Sequence, residues 1–368
     1  MNTPQPPPAR STSARSPSRR PAPNRRPRGY LRIGSVIAVP VRGASVVAAV
    51  AMLALIVAVS VATLTLGRLG IAPGDLLSSV FGGAEGKEKF VLNRLRGPRL
   101  AVCLGAGTAF GLSGALFQAA TRNPLASPDV IGLSSGAGAG AAIFALALPG
   151  GTPVWIGALL GASAAMGIVY LTTGTGFRDP ARLVVAGIGV AAIGTAITQY
   201  VVYVVERDKA SALSAYVNGS VAARSWDDAG TIGLVLLVVA GPALILSRHL
   251  DLGEMGDDVA RSLGGDPGRT RTLAVVLAVV LSAGAVTVAG PIAFIALTAP
   301  QIARRLTRGS GPHLVSSALV GALLLTVADL AAQQLPWVEP LPVGIYTLAF
   351  GGVYLGYLLT REWRSGRL

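Results

Sequence analysis

Few residues in this 368-residue chain could carry out chemistry. The segment GGAEGKEKF (82–90) superficially resembles a phosphate-binding loop, but the glycine spacing before Gly86 does not fit, and Glu88 stands where a hydroxyl would hold magnesium. Cys103 is the single cysteine, which excludes a disulfide framework and a cysteine-based metal site. The sequence therefore predicts no catalytic residues, no metal site and no ATP site in this chain.

Asp329 is the one acid well inside an apolar run, away from helix ends. Acids within membrane spans are costly and often functional, so Asp329 could couple transport to an ion gradient. Gln333 and Gln334 lie beside it, however, and a hydrogen-bonded structural acid fits equally well. Both interpretations stay open at this point.

Three arginines, Arg94, Arg96 and Arg99, crowd the start of another apolar run. Their long side chains could reach lipid headgroups. Alternatively, their planar guanidinium groups could receive carboxylates of an acidic partner.

Residues 250–271 form a polar island between long apolar runs, with eight charged residues among 22. Asp257 or Asp258 could cap a short helix that places Val259 and Leu263 on one face, and Gly264 stands where such a helix would stop. Asp266 followed by Pro267 is typical of the start of the next helix. A solvated loop is the simpler interpretation, but the pattern favours a shaped knob outside the membrane.

The surrounding elements are those of an all-α polytopic membrane protein. Apolar residues make up 52% of the chain, charged residues 13%, and the mean hydropathy is +0.60. A bilayer core needs about 20 apolar residues per helix. Ten runs fit, near 44–67, 98–119, 128–148, 154–175, 181–205, 229–247, 271–289, 291–307, 313–335 and 342–360.

An even number of spans places both termini on one side of the membrane. With the termini inside, 22 of the 31 Lys and Arg residues are inside, which predicts cytoplasmic termini and a cytoplasmic island in the plasma membrane. Residues 1–43, rich in Arg and Pro, are expected to be a disordered cytoplasmic tail, and 363–368 a second, short tail. The first tail could bind anionic lipid or nucleic acid, but fixing the topology is its expected role.

The fifth run carries a mildly polar face that includes Gln199 and Tyr203. This face could line a water-filled path or could bond neighbouring helices. RGPRLAV (96–102) and RTRTLAV (269–275) open the second and seventh runs, and VAGI (185–188) and PVGI (342–345) recur in the fifth and tenth. These echoes predict an inverted-topology repeat of five spans.

Five ordered blocks give the chain, over residues 44–362, a resemblance to the FecCD family of ten-span permeases. They are RGPRLAVCLGAGTAFGLSGALFQAATRNPLASPDVIGLSSGAGAG (96–140), YVNGSVAARSW (216–226), GDDVARSLGG (256–265), GPIAFIALTAPQIARRL (290–306) and LPVGIYTLAFGG (341–352). The resemblance implies a permease of an ABC importer for ferric siderophores, nearest to the catecholate branch. Gln301, Gln333 and Gly352 depart from the family pattern.

The resemblance also implies partners and site residues. An ABC ATPase dimer, which binds ATP and magnesium, would dock on residues 256–265, with Val259, Ala260 and Leu263 as buried contacts and Arg261 at the rim. Gly256 and Gly264 would bound this coupling helix. A siderophore-binding protein would dock on Arg96 and Arg99, and a second permease subunit would complete the channel.

The translocation path would be bordered by one further set of residues, which the resemblance places on the fifth span and in the turn after it: Gln199, Tyr203, Asn218, Gly219 and Ser220. No residue is expected to bind iron, a cofactor or nucleic acid. The competing hypothesis is an ion-gradient-coupled secondary transporter that uses Asp329.

Overall fold

The computed structural model describes residues 29–33, 37–41, 43–67, 69–147, 154–174, 180–204, 216–307, 309, 311–335 and 341–364. The chain divides into two units, residues 1–43 and 44–368. In the first unit, β1 (Gly29–Ile33) pairs antiparallel with β2 (Ile37–Val41). Tyr30 and four β-branched residues favour strands in this hairpin. The expected disorder of residues 1–43 stays a prediction. Residues 1–28 and 365–368 lie outside the described residues.

In its described part, the second unit consists of helices joined by turns and loops. Ten helices correspond to the ten apolar runs: α1 (Gly43–Thr65), α2 (Arg96–Thr121), α3 (Leu133–Ala147), α4 (Val154–Thr173), α5 (Pro180–Val204), α6 (Trp226–Glu254), α7 (Pro267–Ala289), α8 (Ile295–Thr307), α9 (Leu314–Gln334) and α10 (Val343–Arg364). Between α6 and α7 lies a short helix, Asp257–Ser262, which we call the knob helix.

Seven of the ten helices are long and apolar enough to cross a membrane, among the described residues. The apolar stretches within α3 and α10 are shorter, Leu133–Leu146 and Val343–Tyr357. Helix α8 has only 13 residues, with Pro300 inside it. Gly290 and Pro291 follow the end of α7, and residues 290–294 are not helical. The chain between α7 and α8 therefore has non-helical backbone, which is tolerated within a membrane only where protein or a cavity covers it. The all-helical fold is confirmed, whereas ten full spans are not all matched by length.

Helix α2 lies at the centre and packs against α6, α7, α8 and α9. Glycine makes these contacts close: a Cβ on Gly107 would lie 2.5 Å from the carbonyl oxygen of Gly321 in α9, and one on Gly114 would lie 1.8 Å from that of Ala296 in α8. Small residues let helix backbones approach where lipid provides no hydrophobic force. The centre of the unit is thus held by backbone-to-backbone packing.

A second group forms where α3 packs against α4 and α5. A Cβ on Gly140 would lie 2.0 Å from the carbonyl oxygen of Gly157 in α4, so this pair repeats the close glycine packing of the centre. In contrast, most of α1, α5 and α6 is exposed in the single chain. Their apolar surfaces are available to lipid or to another subunit.

Candidate coupling site and outer mouth

The knob helix is bounded by glycines with positive φ. Gly256 (φ 108°) precedes it, and its last turn closes when the Gly265 N–H donates to Ala260 O at 2.8 Å and the Gly264 N–H to Arg261 O at 3.0 Å. This is a Schellman ending, and Gly264 (φ 81°) occupies the left-handed position that only glycine takes easily. The predicted stop at Gly264 is confirmed.

The start of the knob helix differs from the prediction. Neither Asp257 nor Asp258 caps it; Gly256 holds the cap position and both acids lie in the first turn. Helix α7 starts as predicted. Asp266 accepts a hydrogen bond from the Arg269 N–H at 3.0 Å, and Pro267 is the first helical residue.

The outer surface of the knob helix is partly apolar. Val259 is 39% exposed and Leu263 60% exposed, and both are available to a partner. Ala260 is buried at 3%, so the prediction that it contacts a partner is wrong. Its place on the helix turns it toward the membrane unit. Arg261 lies at the surface and pairs with Asp258 at 2.8 Å.

On the side of the knob helix that faces the membrane helices, Asp257 makes polar contacts. Its carboxylate accepts hydrogen bonds from Arg271 Nη2 at 2.7 Å and from Arg122 Nη2. Desolvation favours the neutral acid, but the hydrogen bond from Arg122 and the charge of Arg271 outweigh it and lower the pKa of Asp257 below its usual value. This carboxyl is therefore ionised at neutral pH.

At the other end of α2, the arginines face inward. Arg96 is 8% exposed and its Nη1 donates to the backbone oxygens of Thr63 at 2.7 Å and Leu66 at 2.5 Å. Arg96 thus fastens the end of α1 to the start of α2. The prediction that Arg96 offers a free guanidinium to an acidic partner is wrong, because that group is already occupied.

Arg99 pairs with Asp329. Its Nη2 lies 2.7 Å and its Nε 2.9 Å from Asp329 Oδ1, and the Asp329 carboxylate is 1% exposed. Gln333 donates a further hydrogen bond to Asp329 Oδ2 at 2.7 Å. Of the two interpretations of Asp329, the structure supports the hydrogen-bonded structural acid.

The predicted path residues fall in two places. Gln199 and Tyr203 lie on an exposed face of α5, and Tyr203 is 90% exposed. Gly219 (φ 74°) lies elsewhere, in a tight turn: its carbonyl accepts from the Gly344 N–H at 3.0 Å, and a Cβ on Gly219 would lie 2.6 Å from Pro291 O. Asn218 and Ser220 flank it, so this turn joins α10 to the break before α8.

Two side chains near the knob helix, Gln301 and Arg122, make contacts that the sequence does not reveal. Gln301, seen only as a departure from a pattern, donates from Nε2 to Pro124 O and so fixes the turn after α2. Arg122 was not selected at all, although it ends α2 with a left-handed backbone (φ 51°). A non-glycine residue in that conformation cannot be recognised from sequence without its partners.

These features define a class: a multi-pass helical membrane protein whose polar knob helix projects from a close-packed, glycine-rich helix bundle. Among the described residues, no three His, Cys, Asp or Glu side chains lie together so as to hold a metal ion.

The chain belongs to the FecCD transport family, whose model matches residues 52–361. It is 37% identical over 301 residues to the ferric enterobactin transport system permease protein FepG of Escherichia coli, covering 81% of this chain and 91% of that protein. It is 34% identical to the Fe(3+)-citrate import system permease protein YfmE of Bacillus subtilis, covering 84% and 94%. The Fe(3+) dicitrate permease FecD of E. coli is 35% identical, over 80% and 93%.

A solved structure shares the fold. It is described as an inward-facing metal-chelate type ABC transporter, and it superposes with a TM-score of 0.75 over 85% of this chain and 98% of that one, at 24% identity. The family and the fold therefore agree.

Proposed function

We propose that this chain is the membrane-spanning subunit of an ABC importer that moves ferric siderophores across the plasma membrane. Family membership supports transport, and the related permeases carry ferric enterobactin or ferric citrate by name. The observation that carries the proposal is the knob helix. It presents Val259 and Leu263 outward on a rigid, glycine-bounded support, as a surface that docks another protein requires.

In this proposal, two separate ATPase subunits bind ATP and magnesium and grip the knob helix from the cytoplasm, where both termini also lie. Arg261 and the bounding glycines Gly256 and Gly264 form the edge of the contact. A second permease subunit, identical or related, completes the channel. The exposed face of α5 with Gln199 and Tyr203, and the turn 218–220, border the path of the ferric siderophore.

A siderophore-binding protein delivers the substrate from outside. Because Arg96 is buried and Arg99 is paired with Asp329, we assign its docking chiefly to Arg94, which is exposed on the same segment, with only the outer edge of Arg99 contributing. An acidic lobe of the binding protein would meet this basic surface. Replacing Arg94 by Glu should weaken that docking, whereas replacing the exposed Arg269 on the opposite side of the membrane should not.

The substrate class is a ferric catecholate, since the FepG relative is named for ferric enterobactin. Proteoliposomes that hold this permease and its ATPase should take up radioiron as ferric enterobactin when ATP and the binding protein are supplied. Excess ferric citrate should not compete. Competition by citrate would move the assignment to the carboxylate class, and uptake that a protonophore abolishes without nucleotide would support a secondary transporter instead.

The coupling role of the knob helix has a direct test. Leu263→Asp places a charge on the apolar contact, so the permease should insert normally but lose the ATPase and its uptake. Leu125→Asp is the matched control, because Leu125 is also an exposed apolar residue and lies outside the knob helix. Normal ATPase association by the Leu263→Asp permease would contradict the docking role.

A further inference from the structure

Asp257 connects the knob helix to two membrane helices at once. Its Oδ1 accepts from Arg271 Nη2 at 2.7 Å, in the first turns of α7, and from Arg122 Nη2, directly after α2. The same Arg122 Nη2 donates to the carbonyl of Gly253 near the end of α6, at 2.5 Å. One carboxylate and two guanidinium groups thus join α2, α6, α7 and the knob helix.

This cluster is partly shielded from water. The side chains of Arg271, Asp257 and Arg122 are 22%, 28% and 39% exposed. The neighbouring pair Arg261–Asp258 lies 61% and 99% exposed on the same short helix. Exposed pairs contribute little, whereas shielded ones are screened less by solvent and salt. The knob helix therefore carries one partly shielded ion-pair cluster, at Asp257, and one exposed pair, at Asp258.

Asp257 is the one residue of the knob helix whose side chain hydrogen-bonds to the membrane helices, among the described residues. A Cβ added to either Gly256 or Gly264 would meet no atom within 4 Å, so neither position is packed in that direction. Ala260 supplies an apolar contact that has no directional preference. The directional side-chain contacts between the knob helix and the membrane helices are thus those of Asp257.

The helices that Asp257 reaches are the most buried ones. Helices α2 and α7 have the largest buried shares among the seven span-length helices of the described chain. Helix α2 has 26 residues, about 39 Å at 1.5 Å per residue, and its far end carries the Arg99–Asp329 pair. A displacement of Arg122 would therefore move a rigid rod that ends at the outer mouth.

We propose that Asp257 is a positioning residue that passes movement of the knob helix to α2 and α7 through Arg122 and Arg271. The inference rests on the proposed function, because it needs an ATPase docked on the knob helix. Docking and transmission are separate in this arrangement: Val259 and Leu263 face outward to the partner, and Asp257 faces the membrane helices.

The test compares two like substitutions in the complete importer, assembled with its ATPase and binding protein in proteoliposomes. Asp257→Asn should keep ATPase association and basal ATP hydrolysis but lower ferric enterobactin uptake per ATP by at least about fivefold, the lower range of measured couplings between sites. Asp258→Asn, the matched control, loses only an exposed pair at the edge of the ATPase contact, so its uptake per ATP should equal that of the unmodified chain. Asp257→Glu, which keeps the charge, should recover part of the uptake.

A second measurement separates transmission from simple folding of the knob helix. A spin label at Leu263→Cys, in a Cys103→Ser chain, reports the mobility of the helix in nanodiscs. We expect the label to stay ordered in Asp257→Asn, since the Schellman ending and Ala260 remain, while uptake per ATP falls. A freely mobile label together with lost ATPase association would show a structural role only and would overturn the inference.

Equal uptake per ATP in Asp257→Asn and Asp258→Asn would also overturn it. If the unmodified importer shows no ATP-dependent uptake, the proposed function itself fails, and the inference fails with it. These outcomes are distinct, because the first compares two variants of a working importer and the second concerns the unmodified chain.

Discussion

The two ends of α2 use the same chemistry in different surroundings. At the end that the proposed topology places outside, which we call the outer joint, Arg99 pairs with Asp329, whose carboxylate is almost wholly buried and also accepts from Gln333. At the other end, the inner joint, Arg122 pairs with Asp257, which is partly exposed and shared with Arg271. An arginine–aspartate pair can therefore be a permanent joint at one end of a helix and an adjustable one at the other.

The difference follows from desolvation. A buried pair is costly to separate, because either partner alone would be an uncompensated charge in an apolar region. A partly hydrated pair can exchange protein partners for water at small cost. The outer joint suits a fixed scaffold, and the inner joint suits a contact that moves, as the proposed coupling to an ATPase requires.

The largest effect is expected where the outer joint is broken. Asp329→Asn removes the charge but keeps the shape, and leaves Arg99 without its counterion. Because Arg99 retains some exposure, we expect the free energy of unfolding to fall by about 3 kcal/mol, the lower end for a broken buried pair. Unfolding in mixed micelles measures it. Gln333→Leu, the control, should cost only about 1 kcal/mol for one hydrogen bond; equal losses would contradict the buried-pair account.

A smaller loss of stability is expected where α9 packs against the middle of α2. A Cβ on Gly321 would lie 2.2 Å from the carbonyl oxygen of Gly107, so Gly321→Ala must push α9 away from α2. Overpacking of this kind costs about 1–3 kcal/mol. Gly241→Ala in α6 is the control, since nothing lies within 4 Å of a Cβ there. A Gly321→Ala chain as stable as the Gly241→Ala chain would show that the two helices are not in close contact.

Breaking the inner joint should change stability less than Asp329→Asn or Gly321→Ala does. Asp257→Asn leaves two arginines that water can reach, so the free energy of unfolding should fall by about 1 kcal/mol or less, as for a partly exposed pair. The same mixed-micelle titration measures it, with Asp258→Asn for reference. A loss as large as that of Asp329→Asn would mean that the two ends of α2 are alike, and the comparison would fail.

The sequence was sufficient for the helices but not for these joints. Apolar runs located all ten helices, and the stop at Gly264 and the start at Asp266 depended on neighbouring residues alone. The pairing of Arg99 with Asp329 spans 230 positions, and that of Arg122 with Asp257 spans 135. Such pairs depend on how helices pack, and local spacing carries no signal for them.

The same limit explains the errors. The sequence predicts Asp257 or Asp258 as the cap of the knob helix, because acids near a helix start commonly cap it; Gly256 holds that position instead, and Asp257 has other partners. In the folded chain its carboxylate binds Arg122 and Arg271, which offer a stronger, charge-assisted interaction than a backbone N–H. Arg96 was expected to face a partner, yet the carbonyls of Thr63 and Leu66 lie within its reach once α1 packs nearby.

The smallest effect on stability is expected when the pH is lowered, and it tests whether Asp257 stays ionised at the inner joint. Because the pKa of Asp257 is lowered in the folded chain, its stabilising contribution is complete above the unfolded value near 4 and is lost only as the pH falls through the lowered value. The difference in free energy of unfolding between the unmodified chain and Asp257→Asn should therefore stay constant from about pH 7.5 to about pH 5. His249 lines the same cleft as Arg122 and Arg271, so it is replaced by Gln in both chains. A difference that shrinks within that range would mean that Asp257 takes up a proton there, which the two arginines should prevent.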